Sequence, residues 1–335
     1  MMINYAKYVL LVCPFLVLSC FEKDTAVTPW PGEVITINED IEEYFSYFDL
    51  ETGSVVKSFP VDSWQISFEC IEPGWHIQIN SGDGWFLWNS GQTDIDADII
   101  PPQGILWAYD KQSAYPDSTA AGNWVNIVGN DKIYTGYVYF LGKFVSGTYY
   151  DIKRLKFTLV DKDHYRFLMR SEDSGIQDTL NMTKSDTSSF IYFNIYNKTQ
   201  VNLEPRKEQF DLIFGPYYDL ATQLGVTIPY LVRGTFLNLW ETSAVLDSVN
   251  AYEQITYEML GNYVFTKQKD VIGYRWKDIT IDPVSGRATY KVKPQYSYVI
   301  NTSTGRYYKL RFLSFSIDGY SGFPRFEIKE LKPLQ

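Results

Sequence analysis

The chain has 335 residues and a formal charge of −10, with 45% hydrophobic, 21% charged and 17% aromatic residues. That hydrophobic share excludes global disorder, and the length allows two domains of ordinary size. An acidic balance repels phosphate backbones and so excludes nucleic acid as a partner, while 27 tyrosines favour strands, because flat side chains suit a pleated surface.

Residues 1–19 read as a targeting segment. Lys7 precedes the apolar run Tyr8–Leu18, which is too short and too interrupted by Pro14 to require a membrane span. Val17-Leu18-Ser19-Cys20 is similar to a bacterial lipobox, in which the cysteine is acylated and becomes the new N-terminus. Glu22-Lys23-Asp24 resembles the acidic tag of lipoproteins exported to the cell surface in the Bacteroidota. Several acyl chains on one cysteine anchor far more firmly than a single chain. The expected location is therefore the outer membrane, lipid-anchored and facing outward. With Cys13 discarded and Cys20 modified, Cys70 has no disulfide partner.

Residues 20–35, with Thr28-Pro29-Trp30-Pro31-Gly32, read as an extended tether. A first module is expected over 36–171. It opens with a hairpin, Glu42–Leu50 and Ser54–Ser58, around Glu51-Thr52-Gly53. A strand over Trp64–Cys70 follows, and Glu72-Pro73-Gly74 turns the chain into Trp75–Ile79, with His76, Gln78 and Asn80 on the polar face. From Trp85 to Asn130 the pattern is irregular, with Trp85, Trp88, Trp107, Tyr109, Tyr115 and Trp124 set among Gly, Pro and Asp. These rings either close over the end of a β-core or form a functional loop. Strands return at Tyr137–Phe144, Tyr149–Val160 and Tyr165–Arg170.

The polar stretch 172–187 is the expected linker, and a second module is expected over 188–335. Its helical candidate is Ala251–Leu260, with Tyr252, Ile255 and Met259 at i, i+3 and i+7. Tyr263-Val264-Phe265 and Ala288–Val292 read as strands. The final pair, Tyr307–Phe315 and Arg325–Ile328, alternates apolar and polar residues between glycines. It repeats Tyr149–Phe157 and Arg166–Met169. Upstream, Tyr47-Phe48-Asp49-Leu50 aligns with Tyr192-Phe193-Asn194-Ile195, and Trp64–Phe68 with Phe210–Phe214. The expectation is an internal duplication: an all-β, mainly antiparallel chain of two tandem modules with few short helices.

Tyr47-Phe48, Trp64–Phe68, Asn80-Ser81-Gly82, Tyr308-Lys309-Leu310-Arg311-Phe312 and Ile272–Lys277 together resemble the HmuY family of haem-binding surface lipoproteins. The resemblance implies β-sandwich modules, capture of haem, and its transfer to an outer-membrane receptor. It also implies axial His or Met ligands in loops matching roughly 105–130 and 240–285. Haem iron takes such donors, with tyrosine a rarer choice. Those loops contain no histidine, and their only methionine is Met259. Beyond the targeting segment the His and Met donors are His76, His164, Met169, Met182 and Met259. The residues expected to contact haem are Met259 and Tyr263.

Signatures of catalysis are absent: no G-x-S-x-G, H-E-x-x-H, C-x-x-C or Walker loop. The expectation is a non-enzymatic protein with no resident metal site. Asp94-Ile95-Asp96-Ala97-Asp98 lacks the glycine and closing glutamate of a calcium loop and reads as a solvated strand edge. The alternatives are a glycan binder using Trp85, Trp88 and Trp107 as stacking faces, and an adhesin-type lipoprotein without haem.

Overall fold

A computed structural model describes residues 32–111, 118–223, 226–282, 284 and 288–333. Residues 1–31, and with them the targeting segment, Cys20 and most of the tether, lie outside the described residues, as does Tyr115. Residues 32–335 form one compact unit. No helix among the described residues is long and apolar enough to cross a membrane.

The first half runs through β1 (Glu33–Thr36), β2 (Tyr44–Asp49), β3 (Ser54–Pro60), β4 (Ile66–Glu69), β5 (Ile77–Ile79) and β6 (Trp85–Asn89). It continues through β7 (Val125–Val128), β8 (Asp131–Tyr134), β9 (Tyr139–Val145), β10 (Thr148–Val160) and β11 (His164–Ser171). The second half holds β12 (Gln177–Thr183), β13 (Phe190–Asn194), β14 (Thr199–Val201), β15 (Leu212–Gln223), β16 (Val226–Leu237) and β17 (Ser243–Asp247). It ends with β18 (Lys277–Ile281), β19 (Ala288–Val292), β20 (Ser297–Asn301), β21 (Tyr307–Ile317) and β22 (Tyr320–Leu331). Every named strand pairing is antiparallel. The all-β expectation holds.

Two five-stranded sheets have corresponding orders, β12-β11-β10-β9-β6 and β1-β22-β21-β20-β17. Two four-stranded sheets, β14-β13-β4-β5 and β16-β15-β2-β3, cover one face of each. The first sandwich closes around Phe68, Trp124, Phe157, Phe167 and Phe193, and the second around Phe48, Trp276, Phe312 and Phe326. The four-stranded sheets meet each other across a third, aromatic core of Phe45, Tyr47, Phe59, Trp64, Phe190, Tyr192 and Phe210. That layering explains β2, whose four central residues are all buried: a strand covered on both faces loses its alternation.

Strand pairing crosses the expected boundary between 36–171 and 188–335. β2 of the first half pairs with β15 of the second, Phe48 opposite Leu212. β13 of the second half pairs with β4 of the first, Ile191 opposite Phe68. β1 likewise lies on β22, and β12 on β11, so each half lends an N-terminal arm of three strands to a sandwich. The expected linker 172–187 contains β12, with Met182 buried in the first core. Alternation identifies strands but not their partners, which is why a local hairpin and a long-range one read alike.

Corresponding residues make corresponding bonds. The Gln65 side-chain oxygen accepts from Ile195 N at 2.9 Å, and Asp211 accepts from Leu50 N at 3.0 Å. Asn80 Nδ2 donates to the carbonyls of Val61 and Trp64, and Asn238 Nδ2 to those of Lys207 and Phe210. Each side chain satisfies backbone groups at a strand end that would otherwise be buried without partners.

Three local expectations also change. The helix expected over Ala251–Leu260 is two 3-10 turns, Tyr252–Gln254 and Tyr257–Asn262. The β-branched pair Ile255-Thr256 between them is extended, which breaks the i to i+4 ladder. Tyr263-Val264-Phe265 is irregular, touching the sheet through an isolated bridge between Thr266 and Ala244. The Asp94–Asp98 segment is a turn rather than a strand edge, with Asp94 accepting from Asp96 N and Ile95 buried.

Candidate functional site

The His and Met donors are scattered. His76 is 2% exposed, its Nδ1 lies 2.6 Å from Glu69 Oε2, and its ring stacks on Trp75 at 3.9 Å. It is not on a solvated strand face. His164 is exposed at the β10–β11 turn, 3.3 Å from Asp161. That turn also groups Asp161, Asp163 and His164, but Asp161 is already accepting from the backbone of Asp163 and His164. Met169, opposite Leu155, and Met182, opposite Tyr165, both belong to the first core. Of the three methionines among the described residues, Met259 alone stands apart from the cores, half-buried in the second 3-10 turn.

Tyr263 follows that turn. Its hydroxyl donates to Asp247 Oδ2 at 2.6 Å, and Asp247 also accepts from Val249 N and Asn250 N. Burial, then the Asp247 carboxylate, holds the Tyr263 hydroxyl well above the usual phenol range, so it stays a neutral donor. Burial pushes the Asp247 carboxyl up, but the hydrogen bonds from Asn250 and Tyr263 outweigh it and leave its pKa lowered. Asp247 thus ties two loops together, leaving Val249 90% and Val264 86% exposed beside the knot.

The same turn borders an open cleft of about 620 Å³, lined by Tyr257, Glu258, Leu260, Gly261, Tyr307 and Pro333. Tyr257 meets Tyr307 edge-on at 6.3 Å, and Phe265 supports Tyr307 from behind at 5.7 Å. Beneath them lie Ile255, Val299 and Leu331. Met259 and Tyr263, the residues expected to contact haem, are not among the lining of this cleft. Tyr307 reads in the sequence only as a strand residue, and only the tertiary fold sets it edge-on against Tyr257.

A second cavity, at the seam between the sandwiches, is far smaller: about 50 Å³, bounded by Tyr47, Trp64, Asp110, Tyr192, Tyr217 and Lys269 among others. It has room for a few waters, each needing about 10–15 Å³, and not for a macrocycle. Its charges are buried. Asp110 accepts from Ile79 N and Ala120 N, both at 2.7 Å, yet burial still pushes its carboxyl up to about 7. Glu204 accepts from Ser189 N and Phe190 N, and burial pushes it up to about 7 as well. Lys269 is half-buried as a residue, but its ammonium is enclosed, over the Phe236 ring at 5.2 Å. Burial pushes it down to about 8, against the pull of Asp110 and Glu204. With hydrogen bonds and opposite charges already in place, this cluster holds the seam.

The tryptophans expected as sugar-stacking faces are largely enclosed. Trp85 and Trp107 are buried, Trp107 stacked on Tyr149 at 3.7 Å, and Trp88 packs on Phe140 at 5.4 Å.

Among curated proteins no relative matches the sequence. Solved structures similar to it at low identity include a Bacteroides vulgatus protein described as a putative HmuY-like haem-binding protein. It is 10% identical, with 89% of this chain and 90% of that one covered and a TM-score of 0.22. Apo PinO from Porphyromonas gingivitis is 10% identical, with 90% and 97% covered and a TM-score of 0.24. The apo HmuY analogue of Tannerella forsythia is 11% identical, with 90% and 96% covered and a TM-score of 0.23. The family described as HmuY protein matches residues 42–328, a span that runs from the β2 arm into the last strand and takes in both sandwiches. The chain belongs to the HmuY family.

Proposed function

We propose that this chain is a non-enzymatic binding protein for haem or another porphyrin, anchored through an acylated Cys20 at the outer surface of the outer membrane and delivering its ligand to an outer-membrane receptor. The observation that carries the reading is membership of the HmuY family over residues 42–328, for which the sequence resemblance implies haem capture. The open surface at Tyr257 and Tyr307 adjoins the turn that carries Met259, the methionine expected to contact haem. Its lining does not offer the pair of axial donors that a six-coordinate haem uses, since its side chains are phenolic, aliphatic and carboxylic. Met259, in the turn that borders the cleft, is the one thioether within the same loop. A glycan reading loses its support with the burial of Trp85 and Trp107.

The test is a haem titration of the lipid-free protein, oxidised and reduced, beside Met259→Ala. A shifted and sharpened Soret band is expected on binding. A thioether ligand favours the softer ferrous iron, so any effect of Met259→Ala should be larger in the reduced titration. No spectral change in either state would remove the haem reading. For the anchor, Cys20→Ser should release the protein to a soluble fraction, and unchanged detergent partitioning would count against it.

A further inference from the structure

We propose that the cavity at the seam is a structural water site, and that its waters carry the hydrogen bonds linking Lys269, on the side of the second sandwich, to Asp110 of the first. At this cluster of buried charge the sandwiches are then joined through a hydrated bridge and not through a direct ion pair.

Two buried donors line the cavity without a protein partner. Among the described residues the Lys269 ammonium makes neither a hydrogen bond nor an ion pair, and it lies over Phe236 at 5.2 Å and Phe190 at 6.0 Å. A ring face attracts a cation but accepts no strong hydrogen bond, so the three N–H groups stay unspent. Asp110 and Glu204 attract the ammonium from beyond contact distance. The Trp64 indole N–H is the second donor: the residue is 7% exposed, and its ring nitrogen is buried with no partner. A buried donor left dry forfeits its hydration, and a buried ammonium forfeits far more.

Acceptors line the same space. Each Asp110 oxygen accepts one backbone N–H, Oδ2 from Ile79 and Oδ1 from Ala120, and so keeps a lone pair. The Tyr47 and Tyr192 hydroxyls, 3.0 Å apart, also line the cavity, and Tyr192 donates onward to Glu204 Oε2 at 3.4 Å. The occupant must therefore accept from an ammonium and an indole while donating to a carboxylate. The carboxylates repel an anion, the ammonium repels a metal cation, and an apolar occupant leaves both donors unpaired. Water both donates and accepts, and a volume of about 50 Å³ holds about two to four molecules.

The experiment looks for long-lived water in the unmodified, lipid-free chain through nuclear Overhauser effects between water and the tryptophan indole protons. Trp64→Phe assigns the Trp64 signal among the nine tryptophans. That proton should show a cross-peak to water with the sign of tightly held and not surface water, and a crystal structure should place ordered waters between Lys269 Nζ and Asp110. Lys269→Met, which keeps the side-chain length but removes the charge, should lower the number of long-lived waters counted by magnetic relaxation dispersion. A Trp64 indole proton with no such cross-peak, or Lys269 Nζ in direct contact with Asp110, would overturn the proposal. An unchanged water count in a folded Lys269→Met would overturn it as well, and the measurements on the unmodified chain decide it if that variant does not fold.

Discussion

Because each sandwich borrows an arm from the other half of the chain, residues 36–171 made alone should not fold. In the intact chain the first core takes Met182, Ile191, Phe193 and Ile195 from beyond residue 171, each 5% exposed or less. At about 1.5–3 kcal/mol for each fully buried side chain, their absence removes about 6–12 kcal/mol. That is comparable with the whole stability of an ordinary domain, about 5–15 kcal/mol. The fragment also leaves β4 without β13, exposing Ile66 and Phe68, and leaves the β2–β3 hairpin without β15. The assay is circular dichroism and proton NMR of the fragment, with and without residues 172–335 supplied in trans. The expected result is a poorly dispersed, non-cooperative fragment that gains structure only when mixed with its complement. A cooperatively folding 36–171 fragment, with a sharp denaturant midpoint of its own, would refute the reasoning.

The seam should make stability depend on pH. Asp110 and Glu204 titrate at about 7 in the fold, against about 4 for free carboxyls, so the stability they contribute is complete below about pH 4 and lost as pH rises through 7. Lys269, lowered to about 8, has the opposite sign: its share is present above about pH 10.5 and lost as pH falls through 8. Urea midpoints should therefore be lowest between about pH 7 and 8. Lys269→Met should move the carboxyl-linked fall to higher pH, since its ammonium lowers both carboxyls, and an unmoved profile would count against the cluster. Trp276, stacked on Phe312 at 3.8 Å and 1% exposed, should cost about 3–5 kcal/mol when cut to alanine. Chemical denaturation checks this, and a loss under 1 kcal/mol would show the second core closing without it.

Much of this protein was legible in residue order. Alternation and glycine-bounded turns located β10, β11, β21 and β22. The donor inventory was equally plain, because counting histidines and methionines needs no coordinates. What residue order left open was partnership. A strand's period says which face it buries and not against which strand, so β2 reads as a local hairpin while its outer partner is β15, more than 160 residues on. The same holds at the cleft. Met259 and Tyr263 stood out by residue type, yet Asp247 claims the Tyr263 hydroxyl, and Tyr307 reaches Tyr257 from a distant strand. Local spacing governs the backbone, whereas the faces a ligand meets are set by long-range packing of side chains whose sequence signal is only that they are apolar.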